Sequence, residues 1–349
     1  MSALEDFGWD AEWDEIFEPQ RALGRSPARV VVPHRIAFDV VAEAGDVRAR
    51  LAGRLRHEAV SPADLPTVGD WVALETAAPD STTIQGLLPR RTKFSRRAVA
   101  DTGSDAAQEH VVAANVDVVF VVASLGEELN RRLLERYLTL AWESGARPVI
   151  LLTKADLVHE PAVVADEASS VSGDVPIVAV STRTGLGLDA VRSFLPRGVT
   201  GALLGPSGVG KSTLVNTLVG EDILETRSVR EAGGGRHTTT HRQLVLLPGG
   251  GLLVDNPGMR ELPLWLAEGG LEDAFQDIVE LEGDCRFADC SHESEPGCAI
   301  QAAIGDGRLD RERWASYRGL RQELEELEQK LARRERSRAR RRRPSAGAP

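Results

Sequence analysis

Short apolar runs recur along the whole chain, and their texture changes twice. From about Val30 to Arg97 the runs ARVVV, AFDVVA, VRARLAGRL, VGDWVAL and TTIQGLL are punctuated by glycine and proline, which predicts a small barrel or sandwich of short strands. From about Val111 strand-like runs (VDVVFVVAS, RPVILLT, PIVAVS, VTGALLG, LVLLP, GLLVDNPG) alternate with helical stretches (LLERYLTLAWES, LDAVRSFL, KSTLVNTLVG). That alternation predicts a mainly parallel sheet covered on both faces, with ligands at the carboxyl ends of its strands. From about Pro263 to Lys330 the pattern is helical around a Cys/His cluster and ends in the amphipathic RQELEELEQKLARRER. The expected layout is an acidic arm (1–22), a barrel (23–97), an α/β domain (98–262), a helical domain (263–332) and an arginine-rich disordered tail (333–349). The arm mixes acids with aromatics without a sustained period, as a mobile segment or a short docking helix would.

Charge refines this picture. The chain of 349 residues carries a net −11, but the stretch 333–343 holds eight arginines and one glutamate, leaving −18 on the rest. Nucleic acid could then be met only where bases cluster locally. Two such clusters stand in the barrel region. A period of two through VRARLAGRLR would place Arg48, Arg50, Arg54 and Arg56 on one face, and Arg90, Arg91, Lys93, Arg96 and Arg97 surround Phe94. RNA contact is the functional reading; solvated charge is the plainer one. No apolar run is long enough to span a bilayer, and the first 18 residues hold seven acids and no base, so a cytoplasmic protein without a membrane span is expected.

Only four of the 42 basic residues are lysine, and two of the four lie in nucleotide motifs. Gly205-Pro206-Ser207-Gly208-Val209-Gly210-Lys211-Ser212, followed by Thr213, fits GxxxxGK[ST] between an apolar strand and a helix. Such a loop turns backbone N–H groups toward phosphate, sets Lys211 on the β- and γ-oxygens, and offers Ser212 to Mg2+. Thr153-Lys154-Ala155-Asp156 ends an apolar strand and resembles the guanine-reading [NT]KxD element of GTPases. The Asp156 carboxylate can accept from guanine N1–H and the 2-amino group; adenine offers neither donor, which favours GTP. Ser181-Thr182-Arg183 resembles the second base loop, and Asp255-Asn256-Pro257-Gly258 resembles DxxG, with Asp255 toward Mg2+ and the Gly258 N–H toward the γ-phosphate. Between them GGGRHTTT supplies a metal-ligating threonine from Thr238, Thr239 and Thr240.

In ordinary GTPases the phosphate loop comes first and the base elements last. Here the order is TKAD, STRTG, phosphate loop, HTTT, DNPG, a circular permutation of the GTPase motifs. After DNPG the chain passes directly toward Cys285, Cys290, His292 and Cys298, where all three cysteines fall within 14 residues. Three thiolates and one imidazole make a closed tetrahedral set, suited to a structural zinc ion rather than a catalytic one.

Together, GPSGVGKST, GRHTTT, DNPG, CRFADCSHESEPGCAI, VGDWV and RRTKFSRR resemble the ribosome small-subunit-dependent GTPase A (RsgA/YjeQ) family over about residues 28–330. The resemblance implies an N-terminal OB-type β-barrel, a central circularly permuted P-loop GTPase domain and a C-terminal helical zinc-binding domain. It further implies a late maturation factor of the small (30S) ribosomal subunit that binds 16S rRNA, acts as a monomer, and hydrolyses GTP to GDP faster on the subunit. Met259 occupies the position after DxxG and cannot orient water, so His237, to which the resemblance points, is expected to approach the nucleophile when the subunit orders its loop; rRNA or a ribosomal protein is the alternative source. Thr153 stands where the family usually has asparagine, so a bond between base loop and phosphate loop is expected to be missing. A P-loop ATPase or metabolite kinase, and a non-catalytic zinc-stabilised RNA-binding module, are the competing readings.

Overall fold

The computed structural model describes residues 3–78, 81–98, 108–126, 129–159, 172–220, 242–255 and 269–342, together with 165, 168 and 169. The arm forms two helices, α1 (Ala3–Asp6) and α2 (Ala11–Arg21), the second N-capped by the Asp10 carboxylate accepting from the Trp13 N–H. Far from trailing into solvent, it buries Leu4, Trp13 and Phe17 against Trp71 and Leu88. The spacing explains the docking: Trp13 and Phe17, four residues apart, share one face of α2, and Trp9, just before the N-cap, packs edge-on against Phe17 and Trp71.

Five strands close a barrel in the order β1-β2-β3-β5-β4: β1 (Ser26–Pro33), β2 (Phe38–Ala42), β3 (Gly45–Leu51), β4 (Trp71–Ala78) and β5 (Ser81–Leu87). Its interior is filled by Val30, Val40, Ala49, Val72, Leu74 and Ile84. This is the expected OB-type barrel, but its basic face is smaller than the period of two implied. Strand β3 ends at Leu51, where its pairing with β5 runs out, and Gly53–Glu58 is a helix, α3. Arg48 and Arg50 point outward from the strand, whereas Arg54 and Arg56 ride on the helix.

The second basic cluster is largely neutralised by residues distant in sequence. Arg90 forks onto the fully buried Asp70 at 2.7 Å and donates to the Ala63 and Leu65 carbonyls. Arg91 pairs with Asp10 and Glu12 of the arm and lies over the Trp13 ring, and Lys93 pairs with Glu109. The hairpin β6 (Lys93–Ala98) and β7 (Gln108–Ala114) carries the chain from the barrel into the α/β sheet. At this junction the buried Arg29 donates to the Gly69, Phe7 and Asn115 carbonyls, joining barrel, arm and hairpin.

The central sheet has six strands in the order β10-β9-β8-β11-β13-β12: β8 (Val118–Ser124), β9 (Arg147–Thr153), β10 (Ile177–Ala179), β11 (Thr200–Leu204), β12 (Gln243–Leu246) and β13 (Leu252–Asp255). All neighbouring pairs are parallel except β12 with β13. Its strands are buried on both faces, which is why they read as continuous apolar runs. One face is covered by α4 (Arg131–Glu143), the other by α5 (Leu188–Ser193) and α6 (Lys211–Val219).

Four helices follow: α7 (Gly270–Ala274), α8 (Gln276–Gly283), α9 (Ala299–Asp306) and α10 (Arg311–Arg342). They share a core with α4, and the interface is pinned by Arg313, which reaches Glu135 at 2.9 Å and Asp277 at 2.6 Å. Gly270 lies so close to α4 that a β-carbon there would sit 2.5 Å from the Glu143 nitrogen. Helix α10 continues to Arg342, into the stretch expected to be disordered. Arginine is a strong helix former, so a run of arginines does not itself end a helix. Among the described residues no helix is long and apolar enough to cross a membrane.

Candidate functional site

The phosphate loop follows β11, with Gly205, Gly208 and Gly210 at φ of 148°, 86° and 98°, conformations that an L side chain rarely adopts. At Gly205 a β-carbon would also meet the Val122 carbonyl at 2.4 Å. Helix α6 begins at Lys211, so backbone N–H groups and the positive end of the helix dipole face the loop. The Lys211 ammonium is buried, donating to the Gly205 carbonyl at 2.7 Å and also to that of Pro206. Ser207 is exposed, as are Ser212 and Thr213 in the first turn of α6. Strand β13 lies beside β11 in parallel and delivers Asp255 to the same end of the sheet.

Two strands away, β9 ends at Thr153. Lys154 adopts a left-handed conformation (φ 58°) that turns the chain into a 3-10 segment, Ala155–Leu157, carrying Asp156. The Ser181 hydroxyl donates to Asp156 Oδ1 at 2.6 Å, holding the carboxyl below its usual range, with Arg183 4.0 Å away adding a weaker pull. The Ala155 N–H donates to the Val180 carbonyl, tying the two base loops together. Ser181 is completely buried, and its hydroxyl also accepts from the Thr184 N–H. Sequence reasoning gave Ser181 only a place in the second base loop; its hydroxyl also orients Asp156.

Thr153 departs from expectation in an informative way. Its hydroxyl lies 2.5 Å from the Val209 carbonyl in the phosphate loop and 3.1 Å from the Ala123 carbonyl at the end of β8. The base loop and the phosphate loop are therefore stitched together after all, by a hydroxyl in place of an amide. Since the 204–205 turn also packs on β8 through Val122, the two loops share one edge of the sheet.

His237, Thr238, Thr239, Thr240 and Gly258 lie outside the described residues.

The four presumptive zinc ligands do converge: one ligand atom each from Cys285, Cys290, His292 and Cys298 lies within 4.8 Å of all the others. His292 Nδ1 is 3.5 Å from the Cys285 sulfur and 3.7 Å from that of Cys298. A tetrahedral zinc ion with its usual bond lengths has S···N edges of about 3.6 Å, so the set fits that ion. The Ala299 and Gln301 N–H groups donate to two of the sulfurs, as suits thiolates. Glu282 stands 3.4 Å from His292 Nε2, leaving Nδ1 for the metal. Sequence reasoning missed Glu282, which no motif spacing marks.

Comparison with known proteins agrees with this geometry. The family model described as RsgA GTPase matches residues 87–265. A protein of Opitutus terrae named small ribosomal subunit biogenesis GTPase RsgA is 43% identical over 92% of this chain and 89% of its own length. The protein of that name from Streptomyces coelicolor is 44% identical over 93% and 88%. Among solved structures, YjeQ from Thermotoga maritima superposes with a TM-score of 0.64 at 28% identity, covering 86% of this chain and 98% of that one. YloQ, described as a circularly permuted GTPase, shares the fold at a TM-score of 0.62 and 22% identity.

Proposed function

Because the chain belongs to the RsgA GTPase family, we propose that it binds the small ribosomal subunit and couples GTP hydrolysis to a late step of that subunit's maturation. It is a GTP hydrolase. The observation that carries the site assignment is the Thr153–Val209 hydrogen bond, which joins a base-reading loop to a phosphate loop 56 residues away. One nucleotide can span the two only if both face the same end of the sheet, as the parallel run β9, β8, β11 requires.

In this reading Asp156, oriented by Ser181, takes the guanine N1–H and 2-amino group. Lys154 lies along the purine and Ala155, Thr182 and Arg183 complete the base pocket. The backbone of Gly205 to Thr213 cradles the phosphates, and Lys211 swings from the loop carbonyls onto the β- and γ-oxygens. Magnesium, held by Ser212, Asp255 and one of Thr238, Thr239 and Thr240, would offset phosphate charge. Gly258 contacts the γ-phosphate, and His237 approaches the attacking water. Cys285, Cys290, His292 and Cys298 hold a structural zinc ion that fixes the helical domain. The domain divisions are those given above, except that α10 carries the helical domain to Arg342, with the 23–97 barrel meeting 16S rRNA. The protein works in the cytoplasm as a monomer.

The test is turnover of GTP and ATP with and without purified small subunits. GTP hydrolysis should be slow alone and accelerated by subunits. Equal turnover of ATP, or no acceleration, would overturn the proposal. Loss of subunit stimulation in His237→Ala, with basal turnover kept, is the expected result for that residue.

A further inference from the structure

Between the barrel and the edge of the α/β sheet lies a cleft of about 420 Å³ that the nucleotide site does not use. Such a volume falls within the range of about 300–1,000 Å³ typical of ligand pockets. The barrel contributes the β1–β2 connection with Arg35, helix α3 with Arg56, and the 62–67 segment; the hairpin contributes His110, and Arg242 leads into β12. Among the described residues no Asp or Glu lines it, in a chain whose net charge is −11.

The nearby carboxylates are committed elsewhere. Asp39 accepts from Arg48 and faces His34, and Glu109 accepts from Lys93 and Ser95 on the other side of the hairpin. Arg96, whose Nε is 3.2 Å from His110 Nδ1, Arg56 and Arg242 have no carboxylate at ion-pair distance among the described residues. Burial and then the charges of Arg242 and Arg96 push His110 down to about 4, so the ring is neutral at pH 7. Arg242 is itself half-buried, and Arg96 is the charge that bears on it. Crowding cations without a counter-ion in a partly desolvated cleft is unfavourable unless an anion enters. Ile36, at 71% exposure, stands in the lining beside Arg35.

We propose that this cleft holds a backbone phosphate of RNA, gripped from the barrel by Arg35 and Arg56 and from the GTPase domain by Arg242. A polyanion suits it better than a small ligand because the cations come from two domains and exposed Ile36 stands beside one of them. Arg242 directly follows the 221–241 segment that contains GGGRHTTT, so RNA held here pulls on the chain immediately beyond the segment assigned the magnesium-ligating threonine and His237. The inference rests on the proposed function and names where the subunit's RNA would be sensed.

The experiment uses the full-length protein and two variants, Arg56→Glu, which changes an exposed helix residue, and Arg242→Gln. Binding to purified small subunits and to single-stranded poly(U) is measured from 50 to 200 mM salt, alongside GTP turnover. Each variant should lower the slope of log affinity against log salt by about one. Arg242→Gln should also reduce subunit-stimulated turnover while leaving basal turnover unchanged. Unaltered slopes in both variants, with wild-type binding intact, would sink the RNA site but not the GTPase reading. Failure of the wild type to bind subunits would sink the broader reading, and failure to bind poly(U) as well would sink both. Tight binding of inorganic phosphate that Arg242→Gln abolishes, with RNA affinity unchanged, would mark a small-anion site and overturn the proposal.

Discussion

Replacing Thr153 by valine isolates the bond between the two nucleotide loops. Valine keeps the β-branched shape, so the packing at the end of β9 is retained and one donor is lost. That donor serves the Val209 carbonyl at 2.5 Å, with the Ala123 carbonyl at 3.1 Å as the weaker acceptor. Thr153 is buried at 4% exposure, so water cannot readily take its place. An acceptor left unpaired in such a place costs about 1–3 kcal/mol. The cost divides between domain stability and the grip on nucleotide, so GTP affinity should fall by up to about 150-fold, and the share of that cost missing from affinity should appear as lost stability. Displacement of a fluorescent GTP analogue gives the affinity, and thermal melting gives the remainder. Thr153→Asn is the companion variant: an amide should restore the link and bind GTP within about threefold of the parent, since one hydrogen bond replaces another. If Thr153→Val changes neither affinity nor melting temperature, the hydroxyl is not a stitch. If Thr153→Asn binds tens of times more tightly, the hydroxyl is a poor substitute and the site is weakened as the sequence first suggested.

Other perturbations test separate parts. Asp156→Asn removes the charge that accepts from two guanine donors, at about 1.5–3 kcal/mol each, so competition binding should show GTP weakened by at least about 100-fold with ATP unaffected. Trp13→Ala empties the pocket formed with Trp9, Phe17 and Trp71 and should cost about 3–5 kcal/mol in denaturant unfolding of the barrel and its arm. An unchanged midpoint would mean that the arm does not brace the fold. Cys298→Ser should abolish stoichiometric zinc in metal analysis and lower the melting temperature, and a chelator should do the same to the parent protein; zinc retained in full by the variant would refute the four-ligand assignment.

Much of the site was legible because its chemistry is local. A phosphate loop, a strand-terminal TKAD and a closely spaced Cys3His set each pack their function into a few consecutive residues, and their order along the chain reveals the permutation. What could not be read were interactions between residues far apart in sequence. The basic run 90–97 shows no acid nearby in sequence, yet Asp70, Asp10, Glu12 and Glu109 reach Arg90, Arg91 and Lys93 through the fold. Arg56 and Arg242, by contrast, line one cleft although 186 positions separate them in the chain, and nothing in the sequence joins the two. The same logic applies to Glu135 and Arg313, 178 residues apart, which only the docking of the helical domain brings together. The arm was read in part: a short docking helix was one of its two readings, and the four-residue spacing of Trp9, Trp13 and Phe17 that would have chosen it was masked by the acids between them. Ion pairs therefore have to be subtracted before a charge pattern in this chain is read as a surface for RNA, and in the cleft proposed above what survives joins Arg56 of the barrel to Arg242, far away in sequence.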